Sequence, residues 1–98
     1  MRIRIHPEAE AEFYNSVDFY AEDSTRNAER FIREVEEAFD AISLYPERYP
    51  ISDGDARVRL LKRFPFSVVY RIRNDEVHVV AIEHQSRKPG YWIERQIG

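Results

Sequence analysis

Basic and aromatic side chains are concentrated from residue 57 onward in this 98-residue chain. The groups whose chemistry stands out are Arg57, Arg59, Lys62, Arg63, His84, Arg87, Lys88, Tyr91 and Trp92. Arginine forks onto phosphate oxygens and aromatic rings stack on bases, so this set favours RNA or single-stranded nucleic acid as a partner. Histidine or tyrosine could also move a proton from a ribose hydroxyl while arginine stabilises a phosphorane. In the alternative interpretation, the aromatic residues cover the core and the arginines keep a sheet edge soluble.

Charge is divided unevenly along the chain. Residues 1–56 contain 6 basic and 14 acidic side chains, whereas residues 57–98 contain 9 basic and 4 acidic ones. The net charge of −3 therefore averages an acidic first half and a basic second half. A basic sheet end on an acidic helical half predicts an anionic partner for the basic end, although a solvated surface of mixed charge is the simpler alternative.

Other site chemistries have little support in the pattern. His78 and His84 are six residues apart on one predicted strand, about 20 Å along it, so neither a metal site nor a cofactor is expected. No serine lies in a nucleophile elbow, and the three glycines are isolated, so no phosphate loop is expected. The lack of cysteine excludes disulfides and a thiolate nucleophile and suits the cytoplasm. No apolar run predicts an export signal or a membrane span.

Two strands rich in β-branched and aromatic residues must position the basic groups. They are Phe66–Ile72 and Val77–Glu83, and the Asn74-Asp75 pair between them is typical of a two-residue hairpin turn. Strict alternation then predicts one apolar face that carries the core, made by the pairs Ile72/Val77, Tyr70/Val79, Val68/Ala81 and Phe66/Glu83. The opposite face is made by the pairs Arg71/His78, Val69/Val80, Ser67/Ile82 and Pro65/His84. Its rim of Arg71, His78 and His84 is typical of a working surface.

The first half of the chain predicts one strand and two helices. Residues 2–5 alternate Arg and Ile, which indicates a strand with Ile3 and Ile5 inward. Pro7 begins a helix that runs to about Glu22. A second helix ends near Leu44 and carries a clear apolar stripe, formed by Ala28, Phe31, Ile32, Val35, Ala38, Phe39 and Ile42.

Residues 57–60 predict a further strand, with Arg57 and Arg59 on one face and Val58 and Leu60 on the other. The element order is therefore β-α-α-β-β-β within a single domain, residues 1–98. The predicted fold class is α+β, with a small, mainly antiparallel sheet and the helical pair packed on one of its faces. A short turn follows Pro89-Gly90 at the C-terminus.

Four stretches of the sequence resemble the RelE/ParE superfamily of bacterial toxins, also called plasmid-stabilisation proteins. They are R-I-R-I-H-P-E-A-E-A-E-F from residue 2, Y-P-E-R-Y-P from residue 45, R-F-P-F-S-V-V-Y-R-I from residue 63 and V-H-V-V-A-I-E-H-Q-S-R-K-P-G-Y-W from residue 77. Together they span the chain from its first strand to its tail. The resemblance implies the toxin of a type II toxin–antitoxin pair, held inactive by a cognate antitoxin.

The superfamily contains two activities, and departures from one of them favour the other. RelE-like members cleave messenger RNA on the ribosome without a metal, whereas ParE-like members poison DNA gyrase. The strand arginine of the RelE-like pattern is replaced by Ser67, and the arginine that often follows the basic position matched by His84 is Gln85. Losing the strand arginine removes the strongest phosphate clamp, so a ParE-like toxin is expected.

Three readings of the resemblance follow. A gyrase poison would use Arg87, Trp92 and neighbouring basic groups such as Lys88 as contacts. A ribosome-dependent endoribonuclease would use His84, Arg87 and Tyr91 for catalysis, with RNA held by Arg57, Arg59, Lys62 and Arg63. A degenerate toxin would keep only its antitoxin partner. The resemblance also implies an apolar groove, and hence a homodimer or a heterotetramer with the antitoxin.

Overall fold

Two helices pack on one face of a four-stranded sheet in the computed structural model, which describes residues 1–98. The elements, in chain order, are β1 (Arg2–Ile5), α1 (Pro7–Asp23), α2 (Thr25–Leu44), β2 (Arg57–Leu60), β3 (Phe66–Arg73) and β4 (Glu76–His84). The predicted α+β class and the β-α-α-β-β-β order are confirmed. Neither helix is long and apolar enough to cross a membrane.

The sheet is mixed, with the strand order β1-β4-β3-β2. The β2–β3 and β3–β4 pairs are antiparallel, as predicted for most of the sheet, and β1 pairs with β4 in parallel. β1 and β2 are therefore the two edges. Ile3 packs against the core as expected, but Ile5 is 40% exposed because it is the last residue of an edge strand.

The two helices form a hairpin with one residue between them. The His6 ring accepts a hydrogen bond from the Glu8 amide (3.0 Å) and Pro7 occupies the first turn, so α1 begins where the sequence predicts. Ser24 then serves both helices. Its amide donates to the Tyr20 carbonyl (2.8 Å), and its hydroxyl accepts from the Asn27 amide (3.2 Å) at the start of α2.

The β3–β4 hairpin has the predicted two-residue turn. Asn74 and Asp75 both have positive φ angles, 52° and 58°, as a type I′ turn requires. From Arg73↔Glu76 to Tyr70↔Val79, every pair is the predicted one.

A β-bulge changes the register beyond that point. Val80 is the extra residue of β4, so Val69 faces Ala81 and the following pairs are Val68↔Ile82, Ser67↔Glu83 and Phe66↔His84. The pairs predicted by strict alternation are wrong over this stretch. Ile82 joins the helix-side core, and His84 moves to the side of Phe66, away from the face that was predicted for it.

Two apolar clusters fill the two faces of the sheet. The larger, helix-side cluster is formed by Ala9, Phe31, Val35, Ala38, Ile42, Leu61, Phe66, Val68, Tyr70, Val77, Val79 and Ile82. The smaller cluster on the opposite face consists of Ala56, Val69, Val80, Ala81 and Trp92. The predicted C-terminal turn is present, and its Trp92 covers the face that the helices leave open.

Phe31 is the centre of the helix-side cluster and yields a stability prediction. Its side chain is fully buried and its ring lies within 6.0 Å of the rings of Phe13, Tyr20, Phe64 and Phe66. Phe31→Ala should lower the free energy of unfolding by about 3–5 kcal/mol, since the cavity cannot collapse among so many rings. Phe19→Ala, at a ring that is 66% exposed, is the control and should change it by less than about 0.5 kcal/mol. Equal urea midpoints for the two variants would contradict this description of the core.

Candidate functional site

The C-terminal segment, defined here as residues 85–97, crosses the open face of the sheet and is anchored from below by Arg71. The Arg71 guanidinium donates hydrogen bonds of 2.7 Å to the carbonyl oxygens of Ile93 and Arg95. It also lies 3.7 Å from the Asp55 carboxylate and 5.8 Å from the centre of the Trp92 ring. Arg71 is only 8% exposed. It therefore positions the segment and cannot serve as the exposed rim that the pattern predicts.

A second anchor joins the same segment to α1. The Glu12 carboxylate accepts hydrogen bonds from the Tyr91 hydroxyl (2.7 Å) and from Arg95 (3.0 and 3.1 Å). It also accepts one from the amide of Ile82 (3.0 Å), on the part of β4 that extends beyond β1. Arg95 in turn donates to the Val80 carbonyl (3.0 Å). One ion pair thus satisfies the carbonyl of the bulge residue and the amide two residues beyond it.

This Glu12–Tyr91–Arg95 cluster determines what Tyr91 can do. Burial, together with the hydrogen bond to the Glu12 carboxylate, raises the pKa of Tyr91 well above its usual range. The phenol therefore stays protonated at neutral pH, and its proton is already donated to Glu12. Tyr91 is poorly suited to act as a general base.

Arg87 and Tyr91 are the two candidate catalytic residues that lie together. The Arg87 guanidinium stacks over the Tyr91 ring at 4.0 Å, and Arg95 lies over the same ring at 5.0 Å. Arg87 is exposed, as is its neighbour Lys88, and neither is in an ion pair. The two cations remain free to contact a partner.

His84, the third candidate, lies on the other side of the sheet. Its ring meets the Phe66 ring edge-on at 4.9 Å, on the helix side. Its Nδ1 accepts a hydrogen bond from the Ser86 amide (3.0 Å) and lies 2.7 Å from the Ser86 hydroxyl. Tyr91 packs against the opposite cluster. The bulge at Val80 is the reason, since it moves His84 to the other face.

Two of the predicted contact residues stabilise the fold instead of facing solvent. Trp92 is 1% exposed, and its indole N–H donates to the Glu83 carboxylate (3.3 Å), whose pKa is raised by burial. Arg57 donates to the carbonyl oxygens of Glu47 (2.9 Å) and Tyr49 (2.7 Å), which fixes the connector after α2.

The remaining predicted cations lie at the β2 edge of the sheet. Arg59 lies 5.8 Å from the centre of the Tyr49 ring. The backbone amides of Lys62 and Arg63 donate to the Glu34 carboxylate (2.8 and 3.2 Å), while their side chains are exposed. β3 separates this edge from β4, which carries the C-terminal segment. The prediction that all nine groups share one surface is therefore wrong, because the structure divides them between the C-terminal segment, the β2 edge, the helix side of the sheet, where His84 lies, and the interior.

No three His, Asp or Glu side chains come together in a way that could hold a metal ion. A shallow depression of about 700 Å³ lies beside Arg87. It is lined by both signs of charge, from His6, Glu8, Arg87, Tyr91, Glu94, Arg95 and Gln96.

Comparison with known proteins places this arrangement in a family. The sequence profile described as "ParE toxin of type II toxin-antitoxin system, parDE" matches residues 3–89. The chain belongs to the ParE toxin family. A chain of the chromosomal ParDE TA system from P. aeruginosa resembles the toxin with a TM-score of 0.63 over 86% of this chain and 95% of that one. At 19% sequence identity, this likeness concerns the fold. No curated protein matches the toxin's sequence.

Residue patterns miss two participants in the toxin's C-terminal surface, Glu12 and Arg95, and misplace a third, Arg71. Glu12 is one of several acidic residues near the start of α1. Acidic residues are common there because they interact favourably with the helix dipole, so nothing in the sequence distinguishes Glu12 from its neighbours. Arg95 follows the part of the chain with a clear motif, and Arg71 was placed on the surface. The bulge was the feature that could have indicated these residues, because its extra backbone groups need hydrogen-bond partners. The alternation of apolar and polar residues along a strand does not reveal a bulge.

The Glu12–Tyr91–Arg95 cluster leads to a prediction about the toxin's stability. Glu12→Gln should lower the free energy of unfolding by about 2 kcal/mol, because Arg95 is left part-buried with only the exposed Glu8 carboxylate, 3.5 Å away, as a counter-charge. Glu10→Gln, an exposed carboxylate two residues away with no ion pair, is the matched control and should cost about 0.5 kcal/mol or less. Urea titrations followed by circular dichroism would measure both. A loss equal to that of the control would mean that the cluster does not hold the segment.

Tyr91 also predicts an alkaline pH dependence. The pKa of Tyr91 in the folded toxin is raised above the ordinary value of 10.0 by burial and by the Glu12 carboxylate, and burial raises the pKa of Tyr70 to about 12. The folded state then keeps protons that the unfolded chain releases, so this stabilisation is complete below pH 10.0 and is lost as the pH rises above it. Above that pH, the unfolding free energy of Tyr91→Phe should fall less steeply than that of the parent. Tyr14→Phe, at an exposed ring, should follow the parent. Identical slopes for all three proteins would contradict the buried Tyr91–Glu12 contact.

Proposed function

We propose that this toxin arrests growth by binding DNA gyrase through the C-terminal segment, and that a cognate antitoxin neutralises it. The observation that carries the proposal is the separation of the three candidate catalytic residues. His84 packs on Phe66, Tyr91 is bound to Glu12, and only Arg87 is free. Exposed cations on a well-anchored segment suit a protein that acts by binding.

The arrangement gives poor support to metal-independent RNA cleavage. Such chemistry needs a proton acceptor and a phosphate clamp that reach the same phosphodiester. Tyr91 keeps its proton, and His84 is on the far side of the sheet from it. Arg71 in β3 donates its hydrogen bonds to the carbonyl oxygens of Ile93 and Arg95, so it is not available as a phosphate clamp. Ser67, which stands where the RelE-like pattern has its strand arginine, is buried.

An antitoxin partner has support from exposed apolar groups outside the C-terminal segment. Four large side chains on or next to the helices are more than half exposed, namely Tyr14, Phe19, Leu44 and Tyr45. Apolar groups of this size on the surface of a small protein favour a protein partner. Family membership supplies the kind of partner, because the matching family is that of type II toxins. With gyrase as its target, the toxin acts in the cytoplasm.

Endoribonuclease activity remains the second candidate because of one observation. The cations of the β2 edge, Arg59, Lys62 and Arg63, are in no ion pair and could grip RNA. Their distance across the sheet from Arg87 is the argument against a shared active site.

The prediction that separates these functions compares three variants in growing bacteria and in a gyrase supercoiling assay. Arg87→Ala should raise the toxin concentration for half-inhibition of gyrase about tenfold or more, since a lost charge-assisted contact costs about 1.5–3 kcal/mol. Tyr91→Phe and His84→Ala should still arrest growth. Arg2→Ala removes an exposed cation at the β1 edge and serves as the control, with no change expected.

Two outcomes would contradict the proposal. Shortened transcripts and loss of arrest in Tyr91→Phe and His84→Ala would establish the nuclease instead. Normal growth together with undisturbed supercoiling at every toxin concentration would mean a degenerate toxin. Circular dichroism of each purified variant would verify that loss of activity is not loss of fold.

A further inference from the structure

Six cationic side chains with no ion pair line the β2 edge and the adjoining part of α2. They are Arg30, Arg33, Arg48, Arg59, Lys62 and Arg63, and every ion pair of the chain involves other residues. Only three of them belong to the set that the sequence singled out. Two of the others, Arg30 and Arg33, come from the half of the chain that appeared acidic by composition.

The arginines of α2 stay free although partners are at hand. Arg30 and Arg33 precede Glu34 and Glu37 by one helical turn, the spacing at which helix ion pairs form. Neither pair closes to 4.0 Å. The Glu34 carboxylate instead accepts the amides of Lys62 and Arg63, which turns the side chains of that loop outward beside the two arginines. The cations are thus gathered on one surface outside any ion pair, with Glu34 and Glu37 among them.

Two depressions meet at Lys62 and have different linings. The first, about 210 Å³, is wholly polar, and its cations Arg30, Arg33 and Arg63 lie beside the carboxylates of Glu34 and Glu37. The second, about 600 Å³, contains no carboxylate, and its cations are Arg48, Arg59 and Lys62. Its floor is apolar, formed by Tyr49, Pro50, Val58 and Leu60. Leu60, the last residue of the edge strand β2, is 57% exposed and adds apolar surface to this floor.

We propose that these two depressions, the β2-edge groove, bind single-stranded nucleic acid. Five of its six cations are arginines, whose planar fork binds phosphate oxygens in pairs. The floor suits the flat faces of unstacked bases, with the Tyr49 ring held against Arg59 at 5.8 Å as a stacking platform. Duplex DNA presents phosphates but hides its base faces, so it would leave this floor unused. The groove is separate from the C-terminal segment that we assign to gyrase, and the two proposals stand independently.

An acidic peptide is the competing occupant. It could neutralise the cations and place an apolar side chain on Leu60. Arginine forks bind carboxylate and phosphate alike, so the deciding feature is the Tyr49 ring beside the Arg59 guanidinium, which favours a stacked base over an alkyl side chain.

The test is fluorescence anisotropy with a labelled oligothymidylate of about 20 nucleotides, a length that exceeds one such groove. The parent toxin should bind it with a dissociation constant on the order of 10 μM at about 50 mM salt. The logarithm of affinity should fall against the logarithm of salt concentration with a slope of about −4, for six cations on a single strand. The variant Arg59→Gln/Lys62→Gln/Arg63→Gln should reduce that slope to about −2 and weaken binding at least tenfold at about 100 mM salt.

Two further variants keep the test decisive. Arg30→Gln/Arg33→Gln changes only exposed positions of α2, so it should fold even where the triple variant does not, and it should also lower the slope. Arg2→Gln removes an exposed cation from the opposite edge of the sheet and should leave binding unchanged. Oligouridylate of equal length identifies the source, since tighter binding of it indicates RNA and weaker binding indicates DNA.

Four results would overturn the inference. They are the absence of binding at low salt, binding that the groove variants leave unchanged, equal affinity for duplex and single strand, and displacement by polyglutamate as effective as by unlabelled oligothymidylate. The last would identify the groove as a surface for an acidic peptide. None of these results bears on gyrase inhibition, which is measured with Arg87→Ala.

Discussion

The carboxylate of Glu12 is the point at which three otherwise independent parts of the toxin meet. It belongs to α1, it accepts the Ile82 amide at the bulged edge of β4, and it holds Tyr91 and Arg95 of the C-terminal segment. A carboxylate among part-buried groups is stable only when its lone pairs are used, and here four hydrogen bonds use them. The helix, the bulge and the segment therefore require one another, and no buried side-chain nitrogen or oxygen is left without a partner.

This constraint explains why the molecule has two unequal cores. A sheet with helices on one face leaves the other face to be covered by something else. Here the cover is a single tryptophan, supported by Arg71 below and by the Glu12–Arg95 ion pair at the edge. The segment cannot be both this cover and a freely movable loop. Its exposed cations are consequently presented in a defined orientation, which favours recognition of a partner by binding.

The sequence predicted the elements well because the signals were local. Pro7, Ser24 and the Asn74-Asp75 turn each act within a few residues, and the helix boundaries and the hairpin register next to the turn followed from them. The face of each residue beyond Val80 could not be predicted, since a bulge has no signature in alternating apolar residues. This error in register also misplaced residues of the predicted site, because His84 and Glu83 lie beyond the bulge. Trp92 and Arg57 were misplaced for another reason: the burial of the Trp92 ring and the hydrogen bonds of Arg57 to carbonyl oxygens of the connector are tertiary properties that residue types do not reveal.

Arg71 holds the C-terminal segment through the carbonyl oxygens of Ile93 and Arg95, and its guanidinium also lies over the ring of Trp92. Main-chain oxygens are the same whichever amino acid carries them. The side chains at positions 93, 94 and 96 can accordingly change without loosening the path of the C-terminal segment over the sheet. Paralogues with this fold would change the partner that they bind by substituting a few outward-facing side chains, while the hydrogen bonds from Arg71 to the main chain stay the same.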